Sequence, residues 1–176
     1  MNDPTLAADI NAAARLTGAF KLRSGQISSE YFDKYRFEAD PLLLRRVAVR
    51  MLSLVPSDAQ VLAGLELGGV PIATAMSLES GLPAVFVRKK AKDYGTCQAV
   101  EGGEIAGRQV VLVEDVITTG GAVAEVARLV REAGGNIVAV VCAIWRGDGP
   151  PLIGSLPEVS ILPAMTKIDL TRAAAE

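Results

Sequence analysis

Residues 110–121 read Val-Val-Leu-Val-Glu-Asp-Val-Ile-Thr-Thr-Gly-Gly, and this segment indicates the fold class most clearly. Its first four residues are all apolar, which is typical of a strand covered on both faces of a parallel sheet. Glu114 and Asp115 follow at the carboxyl end of this strand, where open α/β sheets bind their ligands. A turn of small residues, 118–121, then opens a stretch with apolar residues at helical spacing. These residues therefore predict a buried strand, an acidic pair, a turn and a helix of an α/β fold.

The middle of the chain repeats this alternation of strand and helix. Strands are predicted at 61–66, 84–88, 109–114 and 137–145, and helices at 40–55, 70–80 and 122–133. Such units imply a mainly parallel central sheet with helices on both faces and right-handed crossovers. A last strand is expected near 159–162, after a loop that contains prolines. We find no repeat or linker, so the 176 residues are expected to form one domain.

The first forty residues do not follow the alternation. The predicted elements there are a helix between Asp3 and Thr17 and short strands at 20–22 and 31–37. We expect residues 1–40 to form a small hood over the carboxyl edge of the sheet, and residues 41–176 to form the α/β core.

The turn at 118–121 has the composition of a phosphate site. A turn of small residues at a helix N-terminus points several backbone N–H groups and the positive end of the helix dipole at one spot. The carboxylates of Glu114 and Asp115 can accept hydrogen bonds from the hydroxyls of a sugar. An ordinary turn with a solvated acidic pair is the alternative. The contiguous order of strand, acids and turn favours a sugar-phosphate site.

This order of parts resembles the signature of the phosphoribosyltransferase family. In that family the two acids contact the ribose hydroxyls of phosphoribosyl pyrophosphate, and the loop binds its 5′-phosphate. The resemblance implies catalytic and substrate-binding roles for Glu114 and Asp115. It implies substrate binding by the segment Val116, Ile117, Thr118, Thr119, Gly120, Gly121 and Ala122. Many members carry a hydroxyl residue at the position of Ala122.

A cationic run follows the predicted strand at 84–88. Residues 88–95 read Arg-Lys-Lys-Ala-Lys-Asp-Tyr-Gly, which places four cations in five positions. Such a run can be a solvated surface stretch. The segment 91–108, however, has no hydrophobic pattern, and long loops of this kind are commonly lids or binding loops. A cationic loop could close over a pyrophosphate leaving group and neutralise its charge.

The cationic run is similar to the loop of the phosphoribosyltransferases that act on orotate. The resemblance implies that Arg88, Lys89 and Lys92 grip pyrophosphate, partly across a dimer interface, with Lys92 as the main catalytic cation. Tyr94 stands where many members have a histidine, and it would also bind the phosphoribosyl pyrophosphate.

Two further stretches resemble the same group. Residues 18–25, followed by Tyr31 and Phe32, are similar to its hood, although a plain hairpin is the alternative. This likeness implies that Arg23 reaches phosphoribosyl pyrophosphate and that Tyr31 and Phe32 lie over orotate. Arg146, at the end of the strand 137–145, would pair with the orotate carboxylate, because a guanidinium fits a carboxylate in bidentate fashion. Thr118 would contact orotate as well.

Residues 66–71, Glu-Leu-Gly-Gly-Val-Pro, lie between a predicted strand and a predicted helix. They suit a second anion-binding turn in which glycines allow close backbone approach. The turn resembles the pyrophosphate loop of the family, with Gly68 at the position where many bacterial members have a lysine.

Composition excludes several classes of function. The chain has no histidine, which removes histidine acid–base catalysis, histidine metal ligands and Ser-His-Asp triads. Cys97 and Cys142 are far apart, which argues against a zinc site and fits reduced thiols. Lys and Arg number 18 against 20 Asp and Glu, so general nucleic-acid binding is not expected. No Gly-Lys pair occurs, so a Walker A motif is impossible. With no long apolar run or leader, the chain is expected to be cytoplasmic.

The resemblance implies a type I phosphoribosyltransferase fold and the conversion of orotate and phosphoribosyl pyrophosphate into orotidine 5′-monophosphate and pyrophosphate, in de novo pyrimidine biosynthesis. It also implies Mg²⁺ held mainly by substrate rather than by a protein metal site, and a homodimer with shared active sites. No nucleic-acid or membrane partner is expected. Two alternatives stay open, another base-specific phosphoribosyltransferase and a non-catalytic regulator of the same fold.

Overall fold

A computed structural model describes residues 5–21, 24–88 and 99–173. The helices among these residues are α1 (Leu6–Ala14), α2 (Tyr35–Ala39), α3 (Pro41–Leu52), α4 (Gly69–Ser80), α5 (Gly121–Glu132) and α6 (Lys167–Ala173). The strands are β1 (Arg15–Lys21), β2 (Ile27–Phe32), β3 (Val61–Leu65), β4 (Ala84–Val87), β5 (Val100–Glu101), β6 (Gln109–Ile117), β7 (Asn136–Trp145) and β8 (Ile161–Thr166).

A six-stranded sheet forms the centre of the fold, in the order β5-β4-β3-β6-β7-β8. All neighbouring strands are parallel except β4 and β5, which are antiparallel. Strand β6 therefore lies between β3 and β7, with its carboxyl end beside the ends of both. The predicted α/β class with a mainly parallel sheet is confirmed.

Two apolar cores cover the two faces of the sheet. Val110 and Leu112 of β6 pack in the core that contains α5, whereas Val111 and Val113 pack in the core that contains α1, α3 and α4. This alternation follows from the period of two along a strand. Because both faces are covered, the strand reads as a continuous apolar run, as the sequence predicted.

Helix α3 begins as its sequence predicts. The Oδ1 atom of Asp40 accepts hydrogen bonds from the backbone N–H groups of Leu42 at 2.9 Å and Leu43 at 3.1 Å. Pro41 occupies the first turn, where its missing N–H is harmless. Leu43, Val47 and Met51 then form the buried stripe. The helix ends at Leu52, slightly before the predicted end.

The hood contains an antiparallel hairpin of β1 and β2, but the predicted strand at 31–37 is wrong. Strand β2 ends at Phe32, and Tyr35–Ala39 form helix α2. The Oδ1 atom of Asp33 accepts the backbone N–H of Tyr35 at 3.2 Å, which turns the chain out of the strand. Phe37 and Glu38 are both buried in this helix.

Three other boundaries differ from the prediction. Strand β6 runs on to Ile117, so it contains both acids, whereas the predicted strand ended at Glu114. The segment 99–108 is not all loop, because Val100 lies in β5 and is buried with Ile105. The last strand is β8, and helix α6, which was not predicted, follows it directly.

Candidate active site

A cavity of about 630 Å³ lies at the carboxyl end of the central strands. Four segments line it: the hood, the turn after β3, the end of β4 and the strand-to-helix segment of β6 and α5. The lining residues are Lys34, Tyr35, Glu66, Leu67, Arg88, Glu114, Val116, Ile117, Thr118, Thr119, Gly120, Gly121, Ala122 and Val123. Ligands of parallel α/β sheets bind at this edge, as the sequence analysis expected.

The predicted phosphate turn lies along one wall of this cavity. All seven residues from 116 to 122 contribute to the lining. Gly120 has a φ of 77° and precedes the first residue of α5. A side chain there would meet Ile153 at 2.5 Å, so glycine is needed both for the conformation and for the packing. The turn thus opens the N-terminus of α5 towards the cavity, an arrangement that favours an anion.

The two acids of β6 have different surroundings. Glu114 lines the cavity, whereas Asp115 does not line it and is 0% exposed. The Oδ1 atom of Asp115 accepts the backbone N–H of Val116 at 2.5 Å. The Nζ atom of Lys34 lies 2.5 Å from Oδ2 of Asp115. The acidic pair therefore presents one carboxyl group to the cavity, and Lys34 covers the other.

Burial and proximity give the two carboxyl groups opposite pKa shifts. Burial, followed by the hydrogen bond and charge of Asp115, raises the pKa of Glu114 above its usual value. Burial also acts to raise the pKa of Asp115, but the hydrogen bonds from Glu114 and Lys34 outweigh it and hold the pKa of Asp115 below its usual value. At neutral pH Asp115 is therefore the ionised member of the pair and Glu114 keeps its proton.

The turn after β3 packs directly on β6. A Cβ atom added to Gly68 would lie 1.5 Å from Oδ2 of Asp115, and one added to Gly69 would lie 2.2 Å from the carbonyl oxygen of Val113. Both glycines are therefore required by close approach, as the sequence predicted for this turn. Glu66 and Leu67 of the same turn line the cavity. Residues 66–71 include no lysine or arginine, so this turn brings no cation to the cavity.

The cavity receives cations from two other segments. Arg88 lines it from the end of β4, where its backbone N–H donates to the carbonyl of Ala99 at 2.8 Å. Lys34 lines it from the hood. The other predicted pyrophosphate and phosphoribosyl residues, Arg23, Lys89, Lys92 and Tyr94, lie outside the described residues.

Three of the four residues predicted to bind orotate line a second cavity, of about 420 Å³. Tyr31, Phe32 and Arg146 contribute to it, whereas Thr118 lines the first cavity. The guanidinium carbon of Arg146 lies 5.2 Å from the centre of the Phe32 ring, a cation–π contact. The backbone N–H of Arg146 donates to the carbonyl of Ile117 at 2.7 Å. The second cavity is therefore linked to the phosphate turn through the backbone.

Sequence reasoning missed Lys34 and Glu38. Lys34 lies in the segment predicted as a strand, 31–37, and Glu38, which is only 7% exposed, directly follows it. Burial, followed by the charge of Asp115, raises the pKa of Glu38 to about 8. The available signal was that the segment 33–38 carries four charged residues, more than a strand packed in a core tolerates.

Residues 26–155 match the phosphoribosyl transferase domain family, and the chain belongs to this family. It is 56% identical to a protein named orotate phosphoribosyltransferase from a Nocardioides species, over 97% of this chain and 96% of that protein. The resemblance to the orotate-specific group, read from the motifs, is thereby confirmed.

Solved structures agree with this family. The orotate phosphoribosyltransferase of Aeropyrum pernix has a TM-score of 0.79 at 30% identity, covering 97% of this chain and 99% of that chain. The orotate phosphoribosyltransferase of Mycobacterium tuberculosis, in complex with phosphoribosyl pyrophosphate, has a TM-score of 0.77 at 26% identity, covering 96% and 98%. The type I phosphoribosyltransferase fold is therefore confirmed. No helix of the described segments is long and apolar enough to cross a membrane.

Proposed function

We infer that this chain is a pentosyltransferase, an enzyme of the glycosyltransferase class, which transfers the phosphoribosyl group of phosphoribosyl pyrophosphate to orotate. The products are orotidine 5′-monophosphate and pyrophosphate, in de novo pyrimidine biosynthesis. The observation that carries this function is the cavity in which the turn 116–122, Glu114 and Arg88 face one another, in a chain 56% identical to an orotate phosphoribosyltransferase.

The 5′-phosphate binds at the turn 118–121. Support comes from the position of this turn at the N-terminus of α5 and from its exposed threonines. Backbone N–H groups and the helix dipole favour the phosphate there, and the hydroxyl groups of Thr118 and Thr119 can donate further hydrogen bonds.

Glu114 and Asp115 act on the ribose. A ring nitrogen of orotate attacks the anomeric carbon as pyrophosphate leaves, and positive charge develops on the sugar. The buried negative charge of Asp115 is fixed before the reaction, so it stabilises this charge without reorganisation. Glu114, which lines the cavity, can hydrogen-bond the ribose hydroxyls. No protein nucleophile is required.

Cations stabilise the leaving pyrophosphate. Arg88 lines the cavity, and the run that contains Lys89 and Lys92 follows it directly in the sequence. The catalytic role of Lys92 rests on the family motif. Tyr94 and Arg23 complete the proposed contacts to phosphoribosyl pyrophosphate, likewise from the motif.

Orotate binds between the phosphate turn and the hood. Arg146 pairs with its carboxylate, Tyr31 and Phe32 cover its ring, and Thr118 contacts it from the turn. The packing of Arg146 on Phe32 and the backbone link from Arg146 to Ile117 support this arrangement. Arg146 lines the second cavity and Thr118 lines the first, so the proposed orotate site lies between the two cavities.

Mg²⁺ takes part, held mainly by oxygen atoms of the substrate. Mg²⁺ in enzymes usually keeps several waters and uses one or two carboxylates beside substrate phosphates. Glu66 lines the cavity and fits such an ion. Within residues 5–21, 24–88 and 99–173 no group of three or more Asp, Glu, Cys or His could hold a metal by itself. When bound, the ion neutralises charge on the leaving pyrophosphate.

The active enzyme is a cytoplasmic homodimer. Leu42 and Val49 of α3 and Leu78 of α4 are 75%, 47% and 83% exposed, on two helices that pack together, and apolar surface of this kind favours association. The family motif implies that the Lys92 loop serves the neighbouring site. The buried free thiol of Cys142 fits a reducing compartment.

The acceptor base is tested by comparing pyrophosphate release with orotate, uracil and adenine at equal concentrations of phosphoribosyl pyrophosphate and Mg²⁺. We expect release with orotate alone. Ready use of adenine or uracil would favour another base specificity, and no release with any base would favour a non-catalytic protein.

A further inference from the structure

Lys34 contacts both the cavity and the buried carboxylate of Asp115. Its Nζ atom lies 2.5 Å from Oδ2 of Asp115, and the two side chains are 32% and 0% exposed. At this depth an unpaired carboxylate is strongly destabilised, so the ammonium group offsets most of the cost of burying the charge. Because Lys34 lines the cavity and Asp115 does not, Lys34 is the link between them.

Asp115 is held from three directions. The backbone of Gly68 packs against Oδ2 so closely that no side chain fits there. The N–H of Val116 donates to Oδ1 at 2.5 Å. Lys34 supplies the third contact from the cavity side. The first two contacts come from backbone, so Lys34 is the contact that a substitution can remove without rebuilding the sheet.

Other ionisable groups surround this pair on three elements. Those that interact with Lys34 or Asp115 are Tyr35, Glu38, Glu114 and Cys142, and Asp33 acts on Glu38. Burial raises the pKa of both Glu38 and Glu114, so these acids are neutral near pH 7. Burial acts to lower the pKa of Lys34, but its hydrogen bond and charge interaction with Asp115 raise it above the usual value. The cluster therefore contains an ionised pair, Lys34 and Asp115, among neutral acids.

We propose that Lys34 is a positioning residue of the phosphoribosyl transfer, which holds the buried carboxylate of Asp115 in place against the Gly68 backbone, directly behind the wall of the cavity. This inference rests on the proposed function for the reaction, but the contact itself can be tested without it. Lys34 acts on the charge and position of Asp115, so its loss changes turnover more than it changes substrate binding.

The kinetic test compares Lys34→Met with Lys34→Arg. Methionine keeps the apolar stem and removes the charge, whereas arginine keeps the charge. We expect Lys34→Met to lower kcat about 10-fold or more, a smaller loss than the roughly 100-fold typical of removing a group that itself contacts developing charge. KM for either substrate should change less than about threefold, and Lys34→Arg should recover a large part of kcat. Arg128→Met, on the exposed face of α5, is the control.

The second readout is the pH titration of the Asp115 carboxyl carbon by ¹³C NMR, without substrate. Removing a cation at hydrogen-bond distance should raise the pKa of Asp115 by about 1 unit or more in Lys34→Met, and far less in Lys34→Arg. This readout needs no turnover, so it separates failure of the Lys34 assignment from failure of the proposed activity.

Several results would overturn the assignment. The first is a kcat of Lys34→Met within about twofold of the wild-type value. The second is an effect of this substitution on KM alone, and the third is a pKa of Asp115 that does not change in Lys34→Met. If Lys34→Met does not fold, Lys34→Gln replaces it, because glutamine can still donate a hydrogen bond to Asp115 but carries no charge. A shift of the titration and a loss of kcat in the same directions, but smaller than in Lys34→Met, are then expected, and their absence would again contradict the assignment.

Discussion

The backbone of Gly68 leaves no room for a side chain because the carboxylate of Asp115 occupies that space. A Cβ atom at Gly68 would lie 1.5 Å from Oδ2 and 2.3 Å from Cγ of Asp115. The turn after β3 and the acid of β6 are therefore fitted to each other, and a change in one must displace the other.

Gly68→Ala tests this fit. The added methyl group must push Asp115 or the turn aside, so we expect a loss of about 1–3 kcal/mol in the free energy of unfolding, with a marked fall in kcat. Urea denaturation and steady-state rates measure both. Gly154→Ala is the matched control, because nothing lies within 4 Å of its added Cβ atom. If Gly68→Ala is as stable and as active as Gly154→Ala, the close contact between Gly68 and Asp115 does not restrict the residue at position 68.

The shared active site predicts complementation between two inactive variants. Asp115→Asn removes the buried negative charge of the acidic pair, and Lys92→Ala removes the proposed loop cation, so each alone should lose about 100-fold or more in kcat. Mixed chains should regain activity, because one site of each hybrid dimer receives an intact loop and an intact acid pair.

The hybrid experiment needs a control for exchange of subunits. Differently tagged chains show whether hybrids form, and Asp58→Asn, at an exposed turn, replaces Asp115→Asn in a parallel mixture. Confirmed hybrids with no more activity than their parents would rule out a site shared between subunits.

Arg146→Ala tests recognition of the orotate carboxylate. Losing a charge-assisted pair should weaken recognition by roughly 1.5–3 kcal/mol, about 10- to 150-fold. KM for orotate should therefore rise far more than KM for phosphoribosyl pyrophosphate. Arg128→Ala, exposed on α5, serves as the control. An equal rise of both constants would mean that Arg146 does not bind the carboxylate.

Glu38 makes stability depend on pH. Its pKa is raised to about 8 in the folded chain, so the native state keeps a proton that the unfolded state releases. The stabilisation is complete below the unfolded pKa near 4.5 and is lost as the pH rises through about 8. Glu38→Gln is neutral throughout, so its free energy of unfolding should rise relative to wild type from pH 5 to pH 8.

Urea titrations at several pH values in this range measure the difference. Glu104→Gln, at an exposed position, should show no such trend. If the difference in free energy of unfolding between Glu38→Gln and wild type stays constant with pH, Glu38 does not have a raised pKa in the folded chain.

Local signals predicted the part of the site that one continuous segment forms. The strand β6, its acids, the turn and α5 are adjacent in sequence, and their order is enough to place them at the ligand edge. The helix α3 was equally readable, because Asp40 and Pro41 mark its start.

The hood was harder to predict because its pattern misleads. Tyr31, Tyr35 and Phe37 occupy odd positions, which imitates the period of a strand. The turn made by Asp33 and the burial of Phe37 against the core instead produce α2. Lys34 directly precedes this helix, and its pairing with Asp115 brings together two residues that are far apart in the sequence, so no sequence spacing encodes it.

The proposed transfer of the phosphoribosyl group to orotate is tested by measuring the absorbance of orotate with the purified protein, phosphoribosyl pyrophosphate and Mg²⁺. We expect the absorbance to fall as orotidine 5′-monophosphate forms, to stay constant when phosphoribosyl pyrophosphate is omitted, and to recover when pyrophosphate is added in excess. If the absorbance does not change with all components present and the protein is shown to be folded, the chain does not transfer the phosphoribosyl group to orotate.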